Sequence, residues 1–142
     1  MKKRTKAVVL AGISAAAAVT MSAGPAQAAE SSMNCATTGA GGSLTLNGYY
    51  ANTTESFSVR LAVTDTLADD HHVRVRLVGK GPGGTPINWA WHYNYDGYAT
   101  QKVWNTTAQY SSGLADIGVQ VARYEGDTYL NSCTKWGASE GI

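Results

Sequence analysis

Apolar and polar residues alternate with a period of two along much of this chain, which is the pattern of half-buried β-strands. Over residues 56–64, Phe57, Val59, Leu61 and Val63 take one side while Ser58, Arg60 and Ala62 take the other. Residues 72–78 repeat the pattern, with Val73, Val75 and Leu77 inward and Arg74 and Arg76 outward. Ile117, Val119 and Val121 predict a further strand, Leu44 and Leu46 a weaker one over 43–50, and Tyr129 to Cys133 the last. Turn signals separate these runs at Asn52-Thr53-Thr54, Gly79 to Pro86, Ser111-Ser112-Gly113 and Glu125-Gly126-Asp127. Two registers fit the final hairpin. A Glu-Gly turn sets Val121 against Leu130, and a Gly-Asp turn sets Tyr124 against Tyr129. About seven short strands without a helical period define an all-β domain. The expected architecture is an antiparallel two-sheet sandwich of immunoglobulin-like size, with a small β-barrel as the alternative.

The densest aromatic run is Trp89-Ala90-Trp91-His92-Tyr93-Asn94-Tyr95, followed by Asp96-Gly97 and Tyr98. Strict alternation puts Trp89, Trp91, Tyr93 and Tyr95 on one side of an extended strand. Asp-Gly is a favoured two-residue hairpin turn, so counting outward predicts Tyr95 opposite Tyr98, Trp91 opposite Lys102 and Trp89 opposite Trp104. On this reading Trp89, Trp91 and Trp104 are core, because alternation signals half-burial. Tyr95 and Tyr98, beside the turn, sit at a wet rim that a phenol tolerates. The outward Arg60, Arg74 and Arg76 read as a solvated face that keeps the sheet soluble.

The ends change what must be explained. Met1-Lys2-Lys3-Arg4-Thr5-Lys6 is basic, an apolar and small-residue run follows from Ala7 to Val19, and Ala26-Gln27-Ala28 fits a cleavage site. Residues 1–28 are therefore expected to be a secretory signal peptide, too short in its apolar part to span a membrane. Residues 29–42 then form a flexible lead-in, 43–136 a single β-sandwich domain, and 137–142 a tail. Losing Lys2, Lys3, Arg4 and Lys6 turns a formal charge of +1 into −3, which leaves no basic footprint for nucleic acid or anionic membrane. The only two cysteines, Cys35 and Cys133, lie far apart, and in an exported chain they are expected to form one disulfide. Trp136 is placed close to it by sequence.

Candidate chemistry is sparse. Asp69, Asp70 and His71 crowd one loop and are the weak candidates for a metal site, but neighbours on an extended chain face opposite ways and the spacing matches no calcium or zinc loop. No nucleophile-elbow or metalloprotease motif occurs, and His92 and Asp96 lie too far apart on a strand to pair. The Gly79 to Pro86 loop lacks the Lys-Ser/Thr ending of a phosphate loop. Asn52 and Asn105 head glycosylation sequons, which matter only in a cell that glycosylates asparagine. The expectation is a secreted, non-catalytic domain without a cofactor that binds carbohydrate or cell-wall glycan through Tyr93, Tyr95, Tyr98, His92 and Lys102. The alternatives are a protein-interaction domain, such as an inhibitor of an extracellular hydrolase using the Gly79 to Pro86 loop, and a small metal-dependent enzyme using the Asp/His loop.

Overall fold

The computed structural model describes residues 30–137, so the expected leader and most of the tail lie outside the described residues. Among the described residues, nine strands form two antiparallel sheets packed as a β-sandwich. The first sheet runs β1 (Ser31–Thr37), β2 (Ala40–Asn47), β3 (Phe57–Asp65) and β7 (Gln101–Ala108) in that order. In the second, β4 (His72–Lys80), β8 (Asp116–Glu125) and β9 (Thr128–Trp136) lie side by side. Its outer edge beside β4 is built end to end from two short strands, β5 (Pro86–Asn88) and β6 (His92–Asn94).

The inward rows are the ones the alternation picks out. Leu44, Leu46, Val59, Leu61, Val63, Val73, Val75, Leu77, Ile117, Val119 and Val121 are all buried between the sheets. Each such side chain contributes roughly 1.5–3 kcal/mol on burial, so the central strands β2, β3, β4 and β8 carry most of the stability. Tyr49 and Leu114 plug one end of this core. The Tyr49 hydroxyl donates to the Leu114 carbonyl at 3.2 Å, and burial, reinforced by the charge of Asp116, pushes its pKa up to about 12.

Where a flexible lead-in over 29–42 is expected, the structure has β1 and the start of β2. Met33 and Cys35 alternate inward there, and the Cys35–Cys133 disulfide holds the strand. That bond joins the two edge strands β1 and β9, with 6.0 Å between their Cα atoms, and so closes one side of the sandwich. Gly42 lies opposite Cys35 on β2, and a Cβ there would meet Val121 Cγ2 at 2.5 Å and the Ala62 carbonyl at 2.8 Å. Gly42→Ala is thus expected to destabilise by about 1–3 kcal/mol through overpacking, read as a lower urea midpoint at unchanged slope.

The predicted aromatic hairpin does not form. Residues 92–94 pair with β4 in one sheet, whereas 101–108 pair with β3 in the other, so the chain crosses between sheets at 95–100. Asn94 organises the crossing from a fully buried position. Its Oδ1 accepts from the Asp96 N–H at 3.1 Å and its Nδ2 donates to the Thr100 carbonyl at 3.0 Å, so a side chain replaces the hairpin's backbone turn. The crossover is fixed to the first sheet by Asp65 N–H donating to Thr100 O at 3.1 Å and Ala99 N–H donating to Asp65 O at 2.9 Å. The final hairpin takes the Gly-Asp alternative, with Tyr124 opposite Tyr129.

Candidate functional site

Two irregularities in the second sheet decide which rings reach its outer surface. Asn88 pairs with Val78 and His92 with Val75, so three residues, Trp89 to Trp91, stand opposite two, Arg76 and Leu77. One extra residue reverses the side on which every later side chain falls. Ile87 and Trp89 therefore pack on the core, and Trp91 and Tyr93 turn outward. The expectation that Trp89, Trp91, Tyr93 and Tyr95 share one side is corrected by this bulge, as is the core placement of Trp91. A second irregularity, at Arg123/Tyr124, brings Tyr129 beside Tyr124 on the same outer surface.

The result is a layer of rings and cations laid over β4 and β8. Arg74, only 7% exposed, lies between the Tyr93 ring (4.6 Å to the centroid) and the Tyr124 ring (3.7 Å). Its Nε donates to His72 Nε2 at 2.8 Å, and its NH2 donates to the Gly126 carbonyl at 3.0 Å and approaches Asp127 at 3.6 Å. Arg76 covers Trp91 at 4.3 Å and donates to Gln120 Oε1 at 2.8 Å. Lys80 covers Trp136 at 4.2 Å and pairs with Asp116 at 3.1 Å. Trp136 thus lies over Gly118 under Lys80, on the opposite side of β9 from inward-facing Cys133. The outward arginines of β4 are structural cations clamped by rings, while Arg60, on the other sheet, is exposed.

At one end of this layer the rings form a row across the strands: Tyr95, His72, Tyr124, Tyr129. Tyr95 packs at a tilt of 32° against His72 at 4.4 Å, His72 lies 6.0 Å from Tyr124, and Tyr124 meets Tyr129 edge-on at 5.7 Å. Tyr93 runs parallel to Tyr95 at 5.7 Å. Tyr95 and Tyr129 remain more than half exposed, at 64% and 55%, and Tyr93 is 38% exposed. With strands about 4.8 Å apart, the row spans roughly 14 Å.

Of the five residues expected at a binding site, the structure therefore brings Tyr93 and Tyr95 together. Tyr98 is exposed on the crossover. Lys102 is held by Asp96 at 3.0 Å. His92 is on the other side of β6, its ring 5.0 Å from Trp104, in a slot of about 110 Å³ lined by Leu61, Leu77 and Trp89; burial holds its pKa below the ordinary imidazole value. The residues that sequence reasoning missed are His72, Arg74, Tyr124 and Tyr129. Their signals were the alternation of His72 with Arg74 and Arg76, which reads as a solvated face, and the Gly-Asp register that sets Tyr124 against Tyr129.

The Asp69, Asp70, His71 loop is tied down by a cation. Arg123 NH2 contacts Asp69 Oδ2 and lies 2.9 Å from His71 Nδ1, and the His71 N–H donates to Asp69 Oδ1 at 3.2 Å. Burial works to raise the Asp69 pKa, but the hydrogen bonds from His71 and the charge of Arg123 outweigh it and hold the carboxyl below its ordinary value. Asp70 takes a left-handed conformation at φ 59°. Among the described residues no group of three or more His, Cys, Asp or Glu could hold a metal ion. A depression of about 620 Å³ over the first sheet is lined by Thr45, Asn47, Ser58, Arg60, Asn105 and Thr107 and contains no ring.

The chain matches no protein-family model, no curated protein and no solved structure. Among the described residues no helix is long and apolar enough to cross a membrane.

Proposed function

We propose that this is an exported, non-catalytic domain that binds a glycan across the ring row Tyr95, His72, Tyr124 and Tyr129, with Tyr93 at its flank. Export rests on the basic opening, apolar run and Ala-Gln-Ala of residues 1–28, and the disulfide is compatible with it. The observation that carries the ligand reading is the exposure of Tyr95 and Tyr129 at the two ends of a row whose inner members are braced by a buried guanidinium. Sugars present flat arrays of C–H bonds to such rings, and hydroxyls at the edges find the phenols of Tyr95 and Tyr129 as partners. A span of roughly 14 Å suits about three linked sugars. His71 and His72 contact arginine, so neither is poised as a base beside a hydroxyl nucleophile.

Purified domain should be retained on one of peptidoglycan sacculi, chitin or microcrystalline cellulose. Tyr95→Ala and Tyr129→Ala should each weaken retention about 2- to 10-fold, the equivalent of about 0.5–1.5 kcal/mol per lost ring contact. Tyr50→Ala, at an exposed ring in the β2–β3 connection, should change nothing. Equal retention of all three variants, or none on any polymer, would remove the glycan reading. The protein-interaction alternative has one observation in its favour. Residues 82–86 are all exposed in a loop closed by the Gly81 N–H donating to Thr85 O at 2.8 Å, the rigidity an inhibitory loop requires.

A further inference from the structure

We infer that His72 is the positioning residue of the ring row and makes it acid-sensitive: a proton on its Nε2 sets two donors against each other and releases Tyr95. The inference rests on the ligand reading above only for its consequence, since the switch itself is a matter of contacts within the domain.

An arginine can only donate, so the 2.8 Å contact from Arg74 Nε requires His72 Nε2 to be unprotonated and its proton to sit on Nδ1. Both residues are 7% exposed, so little water is on hand to soften the contact. Protonation converts Nε2 into an N–H pointing at another N–H, with two positive charges at hydrogen-bond distance. Arg74 cannot yield easily. Tyr93 and Tyr124 clamp its guanidinium, and its NH2 is committed to the Gly126 carbonyl. The imidazole must move, and it is the ring against which Tyr95 packs at 4.4 Å.

The groups facing His72 act in both directions. Arg74 on β4 and His71, just before that strand, oppose a proton; from the β8–β9 turn, the Asp127 carboxylate favours one. Tyr93 and Tyr95 from the β6 side and Tyr124 from β8 supply neutral rings at 4.4–6.2 Å. Burial is the largest influence, Arg74 the next, and together they hold the His72 pKa below its ordinary 6.5. A lowered folded-state pKa means that the unfolded chain binds more protons between that value and 6.5. The stabilisation is complete above 6.5 and is lost as pH falls towards the folded-state pKa. The ring row is thus assembled at neutral pH and loosened in acid.

The test is a titration of the intact domain from about pH 7.5 to about pH 4.5, following near-ultraviolet circular dichroism, the imidazole nitrogen shifts and the Tyr95 ring shifts. In the wild type the His72 nitrogen and Tyr95 signals should share one midpoint below the ordinary imidazole value. Retention on whichever polymer binds at neutral pH should fall about ten-fold once a tenth of the molecules keep the row assembled. His72→Gln keeps an acceptor for Arg74 but gains no proton, so the Tyr95 transition should disappear, while His71→Gln and His92→Gln should preserve it. Different midpoints for His72 and Tyr95 in the wild type would overturn the inference, as would a Tyr95 transition that survives in His72→Gln. The shared spectroscopic transition without retention on any polymer would uphold the switch and remove the glycan reading alone.

Discussion

Replacing Cys35 and Cys133 together by serine should lower the unfolding free energy by about 4–5 kcal/mol. The bond closes a loop across a sequence separation of 98, and the chain-entropy account gives about 4.7 kcal/mol for a loop of about 100 residues. Its position adds to the effect. β1 and β9 are edge strands of different sheets, and they share one side of the sandwich where this bond is the covalent link between them. Without it, β1 is held by its pairing with β2 and by Met33 on the core. Urea unfolding of the oxidised protein and the double serine variant measures the difference. A shift below about 1 kcal/mol would mean that the edges hold each other by packing alone. Amide exchange should show β1 opening first in the variant, ahead of the global transition.

Arg74→Ala should cost about 3 kcal/mol and, unusually for an arginine on a sheet's outer surface, should also cost structure around the rings. The side chain makes two cation–π contacts, each worth about 0.5–2 kcal/mol, and hydrogen bonds to His72 and Gly126 worth about 1.5–3 kcal/mol in a charged donor. Removing it opens a gap between Tyr93 and Tyr124 and leaves His72 Nε2 without its partner. Arg74→Lys should recover less than half of the loss, because an ammonium cannot lie flat between two rings while donating in two directions. Near-ultraviolet circular dichroism and thermal unfolding separate the two effects. If alanine at this position changed stability by less than about 0.5 kcal/mol, the guanidinium would be an ordinary surface charge.

The strands were legible because their period-two pattern follows directly from which side of a pleat is dry. Val73, Val75 and Leu77, like Val59, Leu61 and Val63, are buried as the alternation requires. The disulfide was legible from two cysteines in a chain whose first 28 residues read as an export leader, and the sheet pair from the number of short strands. The ring layer was not. It depends on one extra residue between Asn88 and His92, and a bulge of this kind leaves no mark in composition. It also depends on Asn94, whose side chain turns the chain away from the hairpin that Asp96-Gly97 would otherwise make. Arg74 shows the same difficulty in another form. A charged residue alternating with valines predicts solvent, and only the neighbours on β6 and β8, distant in sequence, decide that rings cover it. Met33 and Cys35 hint at β1, but glycines and serines around them hide a strand whose partner begins three residues after it ends.

The disulfide lies close to both ends of the described chain. Tension applied through those ends would run from one short terminal peptide, through sulfur to sulfur, and out by the other. The chain between the two cysteines would sit in a side loop that carries no load, while Ser31 to Asn34 on β1 and Thr134 to Trp136 on β9 would peel from β2 and β8. A domain wired in this way lengthens under pulling only by those few residues, and the row Tyr95, His72, Tyr124 and Tyr129, inside the loop, keeps its shape on a chain drawn taut.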